Sequence, residues 1–323
     1  MVDIVCLGEL LIDFVSQESG VSLIEAPSFQ KAAGGAPANV AVGLARLGHQ
    51  VGFVGKVGQE SFGEFLVGVL RDNKVDVSGI SFDDYARTML AFVSLTEEGE
   101  RDFMFYRHPS ADMRLIPEEI PEDLISQAAI FHYGSISLIS EPCRSATFHA
   151  LEIAKQHNLL ISYDPNLRLG LWESVEQARK EMLDGMRYAT IVKINEEELE
   201  FLTGTQDFEE GGKQILDHGP SLLILTLGKQ GCYFYSPSAQ GSVPGYSIRA
   251  VDTTGAGDGF VAGLLSGFLK DLTPHDTFTV PERDALEECC RFANAVGALT
   301  SLKRGAIPSL PTPEEVEEFI NKA

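Results

Sequence analysis

The chain has 323 residues, 44% of them hydrophobic, which is enough for a large core in one or two domains. With 25 Lys and Arg against 47 Asp and Glu the net charge is −22 and no basic run occurs, so nucleic acid and anionic membranes are poor partners. Five cysteines, Cys6, Cys143, Cys232, Cys289 and Cys290, form no CxxC pair and sit among mostly apolar neighbours, which points to buried thiols in a reducing cytoplasm.

The N-terminal run MVDIVCLGELLIDF carries acids inside its apolar stretch and no basic leader, and no run approaches the roughly 18 apolar residues of a membrane span. It reads as a first β-strand. Further along, short apolar runs end repeatedly in Gly, Asn or Asp and give way to helical patterns: VGFVGKVG, AIFHYGSISL, LLISYDPN, TIVKIN and LLILTLG. This βα rhythm predicts a mostly parallel sheet covered by helices on both faces. The spacing predicts helices near 37–48, 61–72, 142–157, 174–187, 195–203, 209–218, 255–270, 283–302 and 313–321.

One region breaks the rhythm. LAFVSLTEEGERDFMFYR, Leu90 to Arg107, alternates apolar and polar residues around a polar turn at Glu97 to Glu100, the pattern of a half-exposed antiparallel hairpin. With the poorly helical segment Phe14 to Lys31 it is expected to form a small sheet projecting as a lid. An antiparallel edge on the main sheet is the alternative. No internal repeat or long linker appears, so 1–323 reads as a single α/β domain with a discontinuous lid from about 14–31 and 88–108.

The stretch VDTTGAGDGFVAGLL crowds glycines around Asp258 where an apolar helical pattern begins. Free N–H groups at a helix start favour an anion, and glycines allow it to come close. Neither a P-loop nor a dinucleotide fingerprint is present. The amides of Gly255, Ala256 and Gly257 can cradle a transferring phosphoryl group while Asp258 meets the incoming hydroxyl and takes its proton. An ordinary first-turn acid beside tightly packed glycines fits the same residues. A second glycine cluster, KAAGGAPANVAVGLARLG, offers Gly34 and Gly35 for close backbone approach and Asn39 as donor and acceptor toward a hydroxylated substrate. Its later part reads as a packed helix. The histidines His108, His132, His149 and His157 lack zinc-binding spacing.

GGAPANVAVGLARLG and DTTGAGDGFVAGLL, in that order, resemble the two signature motifs of the PfkB, or ribokinase-like, carbohydrate kinases. The resemblance covers essentially the whole chain. FYRHPSADM and YDPNLRLGLW are similar to the FYRNPSADM and YDPNLRLPLW of the fructokinase branch, with His108 and Gly170 as departures. The resemblance implies a three-layer ribokinase-like fold with a β lid and transfer from ATP to a sugar hydroxyl, the 6-hydroxyl of fructose in this branch. It implies Asp258 as base over the Gly255, Ala256 and Gly257 anion hole. Asp13, Gly34, Gly35 and Asn39 are then sugar-binding, with Phe105 and Arg107 of the lid and Arg168 after DPN.

The family's NxxE motif corresponds to Asn195 and Glu198, which would organise Mg²⁺ through water. Thr226, Gly228, Gly231 and Asn294 would line the nucleotide. Asp252, Thr254, Gly305 and Ser309 match a monovalent-cation site, K⁺ being the expected ion. A homodimer through the lid is also implied. A 2-keto-3-deoxygluconate kinase is the neighbouring alternative, against which Asp112 argues by opposing an anionic substrate. From another class, a non-catalytic sugar-binding scaffold would be marked by loss of the GAGD aspartate, which is present.

Overall fold

The computed structural model describes residues 2–18, 20–95 and 101–322. The chain opens with β1 (Ile4–Leu7), β2 (Leu11–Ser16), β3 (Phe29–Gly34), α1 (Ala36–Arg46), β4 (Val51–Gly58), α2 (Ser61–Asp72) and β5 (Asp76–Asp83). The strands β6 (Leu90–Leu95) and β7 (Arg101–Tyr106) follow, then α3 (Glu122–Ser126), β8 (Ile130–Gly134), α4 (Cys143–Gln156) and β9 (Leu160–Asp164). The rest comprises α5 (Val175–Met186), β10 (Ile191–Asn195), α6 (Glu196–Thr203), α7 (Phe208–Leu216), β11 (Leu222–Thr226), β12 (Gly231–Tyr235) and β13 (Gln240–Pro244). Three helices end it: α8 (Ala256–Phe268), α9 (Arg283–Thr300) and α10 (Pro313–Lys322). Each expected helix is present, with ends displaced by a residue or two.

Nine strands form one sheet in the order β13-β12-β11-β10-β9-β8-β1-β4-β5. It is parallel throughout except at β12 and β13, which run antiparallel. Alternation along β1 divides the core: Ile4 and Cys6 face α1, α2, α8, α9 and α10, while Val5 and Leu7 face the layer of α3 to α7. The two strands that sequence patterning passes over, β5 and β13, are the two edges of this sheet. Their mixed exposure leaves no continuous apolar run to read.

The expected single first strand is two. The chain leaves the main sheet after Leu7 and enters a separate four-stranded sheet, order β3-β2-β6-β7, so Asp13 lies within β2 of that second sheet. β6 and β7 form the expected antiparallel hairpin, with Leu90 opposite Tyr106 and Leu95 opposite Arg101. Its turn, Glu97 to Glu100, lies outside the described residues. β2 joins β6 in parallel, and the second sheet is not an edge of the first. One of its faces is an aromatic cluster in which Phe14 stacks on Phe92 and meets Phe62 of α2 edge-on.

Candidate active site

Val251–Ala256 leads into the N-terminus of α8. Gly255 caps that helix with φ +77°, and a Cβ there would stand 2.5 Å from the Cβ of Ala306, so the turn closes only on glycine. Asp258 follows in the first helical turn, 8% exposed. Its Oδ2 accepts a hydrogen bond from Asn39 Nδ2 at 2.7 Å. Burial pushes the carboxyl up to about 6; the Asn39 hydrogen bond opposes this, Asp164 adds to it, and Lys193 and Arg168 draw it back down. Such a group is ionised at neutral pH and basic enough to take a proton from an alcohol as that alcohol reacts.

Asn39 is carried on α1, whose N-terminal cap is Gly35 at φ +110°. A Cβ on Gly35 would meet the carbonyl oxygen of Glu9 at 2.3 Å, and one on Gly34 would meet Asp13 Oδ2 at 2.0 Å. The two glycines therefore let Asp13 lie directly over the turn that precedes Asn39. Asp13 against Gly34, and Asn39 bonded to Asp258 just beyond Gly35, bring polar groups of three segments to one end of α1. At the same end, Glu9 is a residue that sequence reading missed. It is buried, its Oε1 accepts from the Ala36 N–H at 3.0 Å, and burial pushes its carboxyl up to about 7.

Arg168, whose charge acts on Asp258, has its guanidinium 5.8 Å from the ring centroid of Phe103, and Phe103 stacks on Phe105. Phe103 is a second missed residue, and the F-x-F alternation in β7 is the signal that could have found it. Arg107 is placed differently from Phe105. It is only 2% exposed, its Nε donates to Asp112 Oδ2 at 2.9 Å, and an Nη2 proton goes to the Ile136 carbonyl at 3.0 Å. Asp112 therefore acts on Arg107 rather than facing a ligand.

On the other side of the GAGD turn lies a cavity of about 590 Å³. Asn195, Thr226, Gly228, Gly231, Ala256, Gly257 and Asn294 all line it, with Tyr246, Ile248, Ala250 and Phe260 as an apolar floor. Gly231 is obligatory at φ +101°, where a Cβ would meet the Val243 carbonyl oxygen at 2.1 Å. Asn294 Nδ2 holds the β13 wall through the carbonyls of Val243 and Pro244, both at 3.2 Å.

Asn195 and Glu198 form a capping box: Asn195 Oδ1 accepts from the Glu198 N–H at 2.8 Å, and Glu198 Oε2 from the Asn195 N–H at 2.9 Å. Glu198 Oε1 also accepts from the Leu167 N–H at 2.8 Å, tying this helix to the DPNLR segment. Beside it, Lys193 Nζ donates to Asp164 Oδ2 at 3.0 Å, a buried pair that no local pattern announces. Asp252 gathers the remaining predicted residues. Its Oδ1 accepts from both the N–H and the hydroxyl of Thr254, and its Oδ2 from the Gly305 N–H at 2.9 Å. Ser309 closes the same loop onto the Arg304 carbonyl at 3.2 Å.

The model for the pfkB family carbohydrate kinases matches residues 1–313. Fructokinase-1 of Zea mays is 53% identical over 321 residues, covering 99% of this chain and 98% of its own length. The Xylella fastidiosa fructokinase with bound ATP superposes with a TM-score of 0.89 at 34% identity, over 99% of this chain and 98% of that one. The Vibrio cholerae O395 fructokinase in its fructose, ADP and calcium ion bound form gives a TM-score of 0.88 at 36% identity, over 99% of both chains. The family match runs through every segment that builds the site, from Asp13 to Ser309, and by it the chain belongs to the pfkB family of carbohydrate kinases.

Proposed function

We propose that the protein transfers the γ-phosphoryl group of ATP to the 6-hydroxyl of D-fructose. The observation that carries this reading is Asp258: a buried carboxylate held by Asn39 at the border between a polar, glycine-walled patch and a nucleotide-sized cavity. Asp13, Gly34, Gly35 and Asn39 bind the sugar hydroxyls, together with Arg168 and the lid aromatic Phe105. The proton of the 6-hydroxyl passes to Asp258 as its oxygen attacks the γ-phosphorus. The bond from that phosphorus to the bridging oxygen of ADP breaks, and the amides of Gly255, Ala256 and Gly257 receive the charge. The second sheet acts as the lid that excludes water.

Among the described residues no group of three or more His, Cys, Asp and Glu side chains stands ready to hold a metal. That fits Mg²⁺, which keeps most of its waters, reached from Glu198 and the Asn195 helix start through water. When bound it supplies charge neutralisation to the phosphates. K⁺ is supported by the way Asp252 draws Thr254 and Gly305 together, with Ser309 beside them and Ala306 packed on Gly255. A homodimer through the lid is supported by exposed Val15, Phe103, Met104 and Tyr106. The free thiols support a reducing, cytoplasmic setting, and no helix among the described residues is long and apolar enough to cross a membrane.

The pairing of Arg107 with Asp112 disfavours a 2-keto-3-deoxygluconate kinase, because the lid arginine already has its carboxylate. ADP release with fructose, 2-keto-3-deoxygluconate, ribose, adenosine or no sugar tests the reading. A preference for fructose is expected. Preference for the acid sugar would overturn the assignment of Arg107 and Arg168, and turnover of no sugar would favour a binding scaffold.

A further inference from the structure

β9 and β10 lie side by side in the parallel sheet and carry two buried charges, Asp164 at the end of β9 and Lys193 in the middle of β10. Lys193 is 7% exposed, and its bond to Asp164 uses one of its three ammonium hydrogens. The 3.0 Å bond to the Asp164 carboxylate fixes the ammonium in one place. The ammonium stands against the anion turn. A Cβ on Gly257 would come within 3.3 Å of Nζ, and Gly257 lines the 590 Å³ cavity. The absence of a side chain on Gly257 thus lets the ammonium lie directly against the first turn of α8. The second Asp164 oxygen, Oδ1, is buried with no hydrogen-bond partner, so the pair is not a closed structural unit.

We propose that Lys193 is a further catalytic residue, touching the transferring phosphoryl group from the sheet side while the α8 amides touch it from the helix side, and that Asp164 is its positioning residue. The inference rests on the kinase reading above. A chain of net charge −22 gathers a polyanion against its own field, and a fixed cation at the transfer point offsets both that repulsion and the charge that develops during transfer.

The test compares the wild-type chain with Lys193→Met, Lys193→Arg and the double variant Asp164→Asn/Lys193→Met. The double variant leaves no unpaired buried charge and so keeps the fold if the single one does not. ADP release with fructose is measured beside calorimetric binding of ATP and AMP with Mg²⁺ present. In the double variant kcat is expected to fall roughly 10²- to 10³-fold, the scale of losing one preorganised donor, with the fructose KM within about threefold of wild type. ATP should bind at least about tenfold more weakly and AMP unchanged, since AMP has no γ-phosphate. Lys193→Arg should retain part of both.

Recovery of kcat in the double variant to near the wild-type value, or equal losses for ATP and AMP, would show a purely structural pair and overturn the proposal. If the wild-type chain turned over no sugar, the kinase reading would fail, and the ATP-to-AMP comparison would still decide Lys193: loss confined to ATP sustains the contact, and equal loss removes it.

Discussion

Asn39 and Asp258, 219 residues apart in the chain, are joined by a 2.7 Å hydrogen bond because α1 and α8 cross one helical turn further on. At that crossing a Cβ on Gly43 would stand 2.7 Å from the Cβ of Ala262. Four residues is close to one turn, so Asn39 shares a helix face with Gly43, and Asp258 with Ala262. Close contact at the small pair brings the polar pair within bonding distance. Two glycine motifs, each readable alone, become one site through this crossing.

Substituting Gly43 by Val should therefore separate the helices. An overpacking cost of about 1–3 kcal/mol is expected, together with a loss of turnover that Asn39 and Asp258, still present, do not prevent. Gly68→Ala on α2 is the control. Nothing lies within 4 Å of the added Cβ, so that change should stabilise by roughly 0.5–1 kcal/mol and leave kinetics untouched. Thermal melts and ADP release on both variants decide it; normal turnover in Gly43→Val would detach the crossing from the site.

Asp258→Asn should lose about 10²- to 10⁴-fold in kcat, the range for removal of a general base, while binding of fructose and ATP persists. It should also be more stable than the wild type. A buried carboxyl raised from its ordinary 3.8 to about 6 costs the native state roughly 3 kcal/mol at neutral pH. The sign follows from the protonated form being the one the fold prefers: the cost is absent below about 3.8, grows as pH rises and is complete above about 6. The amide keeps an oxygen for Asn39 and carries no charge to bury. A Tm raised by a few degrees at pH 8, with the gain shrinking toward pH 4, is the expected melt.

The same group sets the acid limb of kcat/KM. Activity should be half lost near pH 6 and decline below it, as Asp258 takes up a proton. Asn39→Ala removes a hydrogen bond that favours the charged form, so the limb should move to higher pH. Asp164→Asn removes a like charge, so the limb should move to lower pH. Rate profiles across pH 4.5–8 for the three chains check this, and a limb indifferent to both substitutions would assign it to some other group.

The Asp252 loop predicts a cation effect. Replacing K⁺ with tetramethylammonium, too large for the loop, should lower turnover roughly tenfold, the scale of a 1–3 kcal/mol coupling between sites. In Asp252→Asn the two media should give the same, lower rate, because that carboxylate joins the Thr254 and Gly305 turns. A variant that still responds to K⁺ would place the ion elsewhere.

Much of this molecule is set by short-range pattern. Helices such as α8 and α9 follow from apolar periodicity, the β6–β7 hairpin from alternation, and the turns at Gly35 and Gly255 from glycine where backbone strain admits little else. The candidate site was correspondingly legible at Asp258, Asn39 and the glycines around them. What tertiary structure alone decided are relations with no local signature. The run MVDIVCLGELLIDF has apolar residues on both sides of Gly8 and Glu9 and hides the point where the chain passes from one sheet to the other, because β1 and the start of β2 are both buried. Arg107 resembles an exposed lid residue until the packing encloses it with Asp112. Lys193 and Asp164 lie on separate strands and meet only because the sheet order sets β9 beside β10. Sequence specifies each strand's own preferences, whereas the adjacency of strands, and hence which buried charges face one another, emerges only when the whole sheet is assembled.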